Sequence, residues 1–218
     1  MYLDLHAHSI SSDDSRATVE QYVKWTSVLR RKGREIDGFV LTEHRGFDFG
    51  KDYKKLGQDN DVLILKGSEL DTNIGHFLVY GVNEQLAEMV NFSQVGLDAL
   101  NLIKSAEICG AIAIPAHPGR FGVGLYEYYG QEYDLSSIKI VEHLNGSNRP
   151  GEQERAEELI AKYKYACTGG SDAHLVSAIG TCMTEFDTAI SNESELVSQL
   201  RTGNFRPVRI EQTGTKNV

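Results

Sequence analysis

The sequence predicts an α/β fold with a mainly parallel sheet. Short apolar runs alternate with amphipathic segments of helical length along most of the chain, and histidines and carboxylates recur directly after these runs. Repeated strand–helix alternation is typical of parallel sheets, whose functional residues gather at the carboxyl ends of the strands. With 218 residues, the chain suits a doubly wound open sheet or a short (β/α) barrel.

The strands are predicted from apolar runs bounded by glycine or polar residues. In chain order, these runs are 2–5 (YLDL), 36–41 (IDGFVL), 62–65 (VLIL), 76–80 (HFLVY), 111–114 (AIAI), 138–141 (IKIV) and 165–168 (YACT). The helices are predicted from apolar residues at helical spacing, in the segments 18–31, 97–109, 152–163 and 193–200. Residues 46–60 are polar and interrupted by glycine, which predicts an irregular connection.

Composition and charge exclude several classes of function. Lys plus Arg number 22 against 31 Asp plus Glu, a net charge of −9, so we expect no broad basic surface for duplex nucleic acid or for a membrane. No apolar run approaches the roughly 20 residues of a membrane span, and the start MYLDLHAHS lacks the features of a signal peptide. We therefore expect a cytoplasmic protein, with no obligate protein partner indicated.

The three cysteines predict no disulfide and no thiolate metal site. Cys109, Cys167 and Cys182 are odd in number, far apart, and each lies within or beside an apolar run. Buried, reduced thiols fit this pattern best.

Most histidines of the chain lie within or just after predicted strands. His6 and His8 share the i, i+2 spacing that places two side chains on one face of an extended segment, and Asp172 and His174 repeat it. Other such positions hold His44, Glu69, His76 and His117. A single histidine after a strand is usually a surface or capping residue, but the joint pattern predicts a metal site of imidazole and carboxylate ligands. Such ligands suit Zn, Mn or Fe(II).

Seven motifs make the sequence resemble the PHP (polymerase and histidinol phosphatase) family over nearly the whole chain. They are DLHAHSISSD at 4–13, VLTEH at 40–44, GSE at 67–69, GHFLVYG at 75–81, IPAHPGR at 114–120, VEHLNGSNRP at 141–150 and TGGSDAH at 168–174. The resemblance implies a distorted (β/α)7 barrel with a trinuclear metal site at the carboxyl-end rim. We expect one such domain over residues 1–210 and a polar C-terminal tail over 211–218.

The resemblance also implies nine metal ligands: His6, His8, Asp13, His44, Glu69, His76, His117, Asp172 and His174. One divalent ion would be held by His6, His8, Glu69 and Asp172. A second would be held by Glu69, His76 and His117, and the third by Asp13, His44 and His174. Three ions, whether Zn, Mn or Fe, would make the pocket cationic despite the acidic protein.

The function implied by the resemblance is that of a stand-alone metal-dependent phosphoesterase. A metal-bridging hydroxide would hydrolyse phosphate monoesters of a small molecule or a nucleotide, with Glu69, Asp172 and His174 in catalytic roles. The proton for the leaving group would come from His174 or from a metal-bound water. Alternatives are a 3′ or 5′ exonuclease or oligonucleotide phosphodiesterase, and a non-catalytic PHP module.

Residues around these motifs have less specific interpretations. Arg120 and Arg149 follow strand-end motifs and are candidates for binding substrate phosphate, although solvated surface arginines are equally consistent with the sequence. Glu142 is a candidate partner for a metal ligand, and His143 is interpreted as structural. The tyrosine-rich stretch 121–133 is interpreted as a loop that packs its own rings, with a stacking wall as the alternative.

Overall fold

The computed structural model describes residues 1–131 and 133–214. The strands in these residues are β1 (Tyr2–Ala7), β2 (Gly38–His44), β3 (Leu63–Thr72), β4 (Gly75–Tyr80), β5 (Ile112–Pro115), β6 (Ile140–Asn145), β7 (Ala166–Gly170), β8 (Cys182–Phe186) and β9 (Phe205–Arg209). The helices are α1 (Val19–Arg31), α2 (Lys54–Asn60), α3 (Glu84–Met89), α4 (Ala99–Ile108), α5 (Glu152–Tyr163) and α6 (Glu193–Thr202).

Seven of these strands form one mixed sheet in the order β5-β4-β3-β2-β1-β8-β9. β1, β2 and β3 run parallel, whereas β4 and β5 on one side and β8 and β9 on the other are antiparallel to their neighbours. β6 and β7 form a separate parallel pair, which contacts β5 through β6 and both β1 and β9 through β7. The large sheet is therefore curled, because its two edges meet the same pair of strands.

The predicted α/β class is confirmed. The prediction of a mainly parallel sheet is wrong, and a (β/α)7 barrel is not confirmed in detail. β3 continues past the apolar run at 62–65 to Thr72, so only Asn73 and Ile74 remain before β4. A connection this short cannot carry a crossover helix, and β4 therefore returns antiparallel to β3.

The helices with a clear apolar period occur where the sequence predicts them. α5 has the predicted bounds, and α1 begins after Thr18, which forms a capping box with Gln21. α2 lies inside the segment predicted to be irregular; Gly57 is its only buried residue, and no side chain caps its start. α3, β8 and β9 are additional to the predicted elements.

The inner face of the curled sheet changes character along the strands. Its apolar part is built from Leu3, Leu5, Val40, Leu65, Leu78 and Tyr80, all of them buried in one cluster. Alternate residues of a strand share a face, so the face that holds Val40 in β2 also holds His44, and the face that holds Leu65 in β3 also holds Glu69. The apolar interior thus ends in ligand-type side chains at one rim.

The outer face of the sheet is covered by helices. Tyr22 and Val23 of α1 are buried with Phe39 and Leu41 of β2, and burying each such side chain stabilises the fold by roughly 1.5–3 kcal/mol. Within the part of the chain that the structure describes, no helix is long and apolar enough to cross a membrane.

The predicted tail 211–218 lies partly within the described residues. Thr213 is buried, and its Oγ1 accepts a hydrogen bond from the backbone N–H of Glu35 at 3.0 Å. Positions 215–218 lie outside the described residues. The start of this segment is therefore docked against the loop after α1.

Candidate metal centre

A β-bulge in β1 directs two histidines to the inner face of the curled sheet. Leu3 pairs with Gly38 and Asp4 with Phe39, but Ala7 pairs with Leu41, so β1 contains one residue more than β2 over this stretch. Before the bulge, odd-numbered Leu3 and Leu5 face the interior; after it, Ala7 joins the outer cluster. His6 and His8, both fully buried, therefore turn to the inner face.

Glu69 lies at the centre of this group of side chains. Its Oε2 is 3.1 Å from His6 Nε2, 3.2 Å from His8 Nε2 and 3.3 Å from His44 Nδ1. Its Oε1 is 3.0 Å from His76 Nδ1 and 2.9 Å from His117 Nε2. Nitrogens from four strand ends thus converge on one carboxylate that is 1% exposed.

Asp172 closes the group on the side of β7. Its Oδ1 is 3.5 Å from His6 Nε2, 3.4 Å from His8 Nε2 and 3.6 Å from His174 Nδ1. The backbone of Asp172 has φ of +53°, a left-handed conformation that costs a non-glycine residue energy. Hydrogen bonds hold it there, because its N–H donates to the carbonyl of His6 at 2.7 Å.

The structure places Asp14, rather than the expected Asp13, between His44 and His174. Asp14 Oδ2 is 3.2 Å from Nε2 of each of these histidines. Asp13 points outward, is largely exposed and lies 3.5 Å from an Arg45 nitrogen. Two consecutive turns cause this, with Ser12 N–H donating to Ser9 O and Ser15 N–H to Ser12 O.

The side chains that converge here fit divalent metal ions. Three groups have ligand atoms within 4.8 Å of one another: His6, His8, Glu69 and Asp172; Glu69, His76 and His117; and His8, His44 and His174. His6 Nε2 and His8 Nε2 are only 2.9 Å apart and face the same two carboxylates. Imidazole and carboxylate donors together suit Zn, Mn or Fe(II).

The pKa values in the group reflect how tightly opposite charges are held. Burial disfavours the charged form of Glu69, but charge on His6 and hydrogen bonds from His117, His6 and His76 hold its pKa well below the usual range. Burial also disfavours charge on His6, yet the carboxylates of Glu142, Asp172 and Glu69 raise its pKa well above the usual range. Opposite charges in the buried group therefore favour the ionised form of Glu69.

Glu142 orients one of the ligand-type histidines. It is 1% exposed, its Oε1 lies 2.9 Å from His6 Nδ1, and its Oε2 accepts from the backbone N–H of His117 at 2.7 Å and from Asn145 Nδ2 at 2.9 Å. A carboxylate on Nδ1 leaves Nε2 of His6 free to bind a cation. His143 points elsewhere, with Nε2 3.6 Å from Glu157.

An open cavity of about 280 Å³ lies over the group. Arg120 and Arg149 both line it, together with Ser147 and several of the ligand-type residues. Arg120 Nη2 donates to Asp172 Oδ2 at 2.6 Å and to Asn145 Oδ1 at 3.1 Å, whereas Arg149 is exposed at the mouth. The cavity therefore has a positively charged wall beside the carboxylates.

Several residues of this rim are missed by the sequence interpretation. Asp14 follows another aspartate, so spacing alone could not distinguish the two. The carboxylate of Asp71 lies 3.5 Å from His76 Nε2 and 3.3 Å from Arg45 Nη1. Asp71 is on β3, two residues after Glu69. That i, i+2 spacing from Glu69 was the one available signal for Asp71.

The chain is similar in sequence to a family model and to one curated protein. Residues 150–205 match a family model described as PHP-associated. An uncharacterized protein of Methanocaldococcus jannaschii is 26% identical over 191 residues, which are 85% of this chain and 70% of that protein. The PHP-family resemblance of the motifs is confirmed by the family match together with the folds below.

Solved structures share the fold at low sequence identity. PsfC from Pseudomonas syringae has a TM-score of 0.69 at 19% identity, covering 97% of this chain and 92% of its own. A candidate metal-dependent phosphoesterase from Bifidobacterium adolescentis has a TM-score of 0.59 at 13% identity, covering 91% and 95%. Endonuclease Q in complex with a 27-mer duplex has a TM-score of 0.66 at 16% identity; the match covers 94% of this chain but 57% of that one.

Proposed function

We propose that this PHP-type chain is a metal-dependent phosphoesterase that hydrolyses phosphate monoesters of small molecules or nucleotides. One observation carries the proposal: five histidines converge on Glu69 directly beneath a cavity whose wall includes Arg120. A site with several divalent cations and a guanidinium attracts a phosphate group more strongly than it attracts an uncharged ester.

Three divalent ions (Zn, Mn or Fe) are part of the proposal. The residues that would hold them are His6, His8, Glu69 and Asp172 for one ion, Glu69, His76 and His117 for another, and Asp14, His44 and His174 for the third. When bound, such ions lower the pKa of water and offset charge on phosphoryl oxygens.

The protein's own groups position the substrate. Arg120 is held by Asp172 and Asn145, so its guanidinium is oriented before a phosphate arrives, and Arg149 adds a second positive charge at the mouth. His174 Nδ1 lies 2.9 Å from the backbone carbonyl of Asp172, which aims Nε2 at Asp14 and the cavity. Nε2 either binds an ion or passes a proton to the leaving-group oxygen, since one atom cannot do both.

A second candidate is a nuclease or oligonucleotide phosphodiesterase. It is favoured by the similarity in fold to Endonuclease Q, one structure of which holds a duplex with an abasic lesion at its active site. The expectation that duplex nucleic acid is excluded, which rests on the net charge of −9, is therefore not supported. A non-catalytic module fits least well, because such a module has no need of a complete cluster of ligating side chains.

The test measures metal content and hydrolysis together. Untagged protein is purified without chelator, its metals are quantified, and turnover of p-nitrophenyl phosphate and bis(p-nitrophenyl) phosphate is measured with added Mn²⁺, Zn²⁺ or Mg²⁺. About three metals per chain and chelator-sensitive monoester hydrolysis support the proposal. Preference for the diester, extended to an abasic 27-mer duplex, supports the nuclease instead. Protein that stays metal-free and inactive after reconstitution overturns both.

A further inference from the structure

Glu43 lies next to His44 yet turns away from the candidate metal centre. It is the penultimate residue of β2, so its side chain faces opposite to that of His44. Its carboxylate accepts from Ser9 Oγ at 2.5 Å, from Ser12 Oγ at 2.6 Å and from the backbone N–H of Ser9 at 3.1 Å. Glu43 therefore binds the loop that follows β1 rather than the ligand cluster.

The contacts of Ser12 determine where its single hydroxyl proton lies. Its Oγ is 2.6 Å from Glu43 Oε2, 3.1 Å from the backbone N of His44 and 3.4 Å from His8 Nδ1. The Glu43 carboxylate can only accept a hydrogen bond, and the backbone N–H of His44 can only donate one. The hydroxyl of Ser12 therefore donates its hydrogen bond to Glu43. Ser12 Oγ is then an acceptor toward His8, and the proton between them belongs to His8 Nδ1.

This assignment matters for the opposite nitrogen of His8. With Nδ1 protonated, a neutral His8 carries its lone pair on Nε2, which lies 3.2 Å from Glu69 Oε2 and 3.4 Å from Asp172 Oδ1. Glu142 contacts Nδ1 of His6 directly and likewise favours a proton on Nδ1, which leaves Nε2 of His6 free. Resting on the metal centre of the proposed function, we propose that Glu43 is a positioning residue that, through Ser12, keeps Nε2 of His8 free to bind a divalent cation.

The hydrogen-bond relay from Glu43 through Ser12 to His8 predicts an unusual order of Zn²⁺ affinities among variants. In Glu43→Ala, the Ser12 hydroxyl loses its acceptor and turns its proton onto His8 Nδ1, which favours the tautomer with a protonated Nε2. Zn²⁺ affinity should fall by about 10- to 100-fold, as for other partners of metal ligands. Adding Ser12→Ala removes the misdirected donor, so the double variant should bind Zn²⁺ no more weakly than Glu43→Ala alone.

A matched control separates the relay from loop anchoring. Ser9→Ala removes a hydrogen bond to the same carboxylate but leaves the Ser12–His8 contact, so Zn²⁺ affinity should stay within about three-fold of wild type. If Glu43 served only to anchor the loop, Ser9→Ala and Ser12→Ala would weaken binding equally, and each would add to Glu43→Ala.

The experiment is competition of each metal-free variant with a chelator for Zn²⁺, with circular dichroism to verify folding. Imidazole ¹⁵N NMR of the Zn²⁺-loaded wild type gives a second readout that survives if Glu43→Ala fails to fold. We expect His8 to be protonated at Nδ1 and bound through Nε2; binding through Nδ1 overturns the inference. If wild type binds Zn²⁺ and the variants show the expected order of Zn²⁺ affinities, but no ester is hydrolysed, the proposed function is wrong and this inference is still supported.

Discussion

The two ends of the same strands differ in what they bury. Toward their amino ends, β1, β2 and β3 present Leu3, Val40 and Leu65 to the interior. A cavity of about 320 Å³ at the beginnings of β5, β6 and β7 has a largely apolar lining that includes Ile112, Ile140 and Leu200. At the carboxyl ends, a cavity of about 280 Å³ is lined by histidines, carboxylates and arginines.

Cavity size therefore does not distinguish the functional end, whereas side-chain chemistry and backbone strain do. Among the described residues, positive φ at non-glycine positions occurs at Arg45, Asp61, His117, Lys164 and Asp172. Asp61 and Lys164 are the C-caps of α2 and α5. The other three lie at the carboxyl-end rim, where surrounding hydrogen bonds keep the strained backbone in place. The amino ends of the strands thus contribute buried apolar contacts, whereas the carboxyl ends carry strained backbone and the candidate metal centre.

The largest expected effect is at the carboxyl end. Glu69→Gln keeps the shape of the side chain but removes the charge that five histidine nitrogens face, so metal content and turnover should fall by more than about 100-fold. Elemental analysis and phosphoesterase assays measure this, with circular dichroism as the control for folding. Near-normal turnover would show that Glu69 is not the shared ligand.

A substitution at the amino end should have the opposite pattern, with lower stability and unchanged turnover. Leu200 of α6 is fully buried, so Leu200→Ala should lower the free energy of unfolding by about 2–5 kcal/mol. Urea denaturation measures the loss, and turnover per folded molecule should be unchanged because the residue is remote from the rim. A selective loss of turnover in fully folded protein would contradict the separation of the two ends.

A smaller effect distinguishes two neighbouring aspartates. Asp14→Asn should weaken binding of one metal per chain by about 10-fold or more, since Asp14 contacts both His44 and His174. Asp13→Asn is the matched control, and it should change metal content little because Asp13 is exposed and contacts Arg45. A larger effect of Asp13→Asn would instead favour Asp13, the ligand that the motif resemblance implies, over Asp14.

The smallest effect concerns the thiols, which are free cysteines within the described residues. Burial raises the pKa of Cys182 to about 12 and that of Cys167 to about 11. These two thiols therefore form little thiolate below these values, and iodoacetamide at pH 8 should modify neither of them until the chain is unfolded. Mass spectrometry measures labelling. Cys167→Ser should leave turnover within a few-fold.

Much of the fold was predictable where one segment carries its own signal. The apolar periods of α1 and α5 are local, and the structure has both helices where the sequence predicts them. The antiparallel return of β4 was not predictable, because it depends on how far β3 extends beyond its apolar run. β8 was missed although it pairs with β1, since its residues do not alternate clearly in polarity.

The sequence by itself determined which chemical groups were available and their short-range spacing: H-x-H after the first strand, Glu after the third, and D-x-H near the end. Only the tertiary structure decided which face these groups occupy. The bulge in β1 turns His6 and His8 inward, and the turns at Ser9–Ser12 and Ser12–Ser15 bring in Asp14 rather than Asp13. The bulge depends on the pairing of β1 with β2, which is distant in the chain, and a one-residue shift in such pairing reverses the direction of every side chain. The turns are local, but the loop that contains them is held in place by hydrogen bonds from Ser9 and Ser12 to Glu43 of β2.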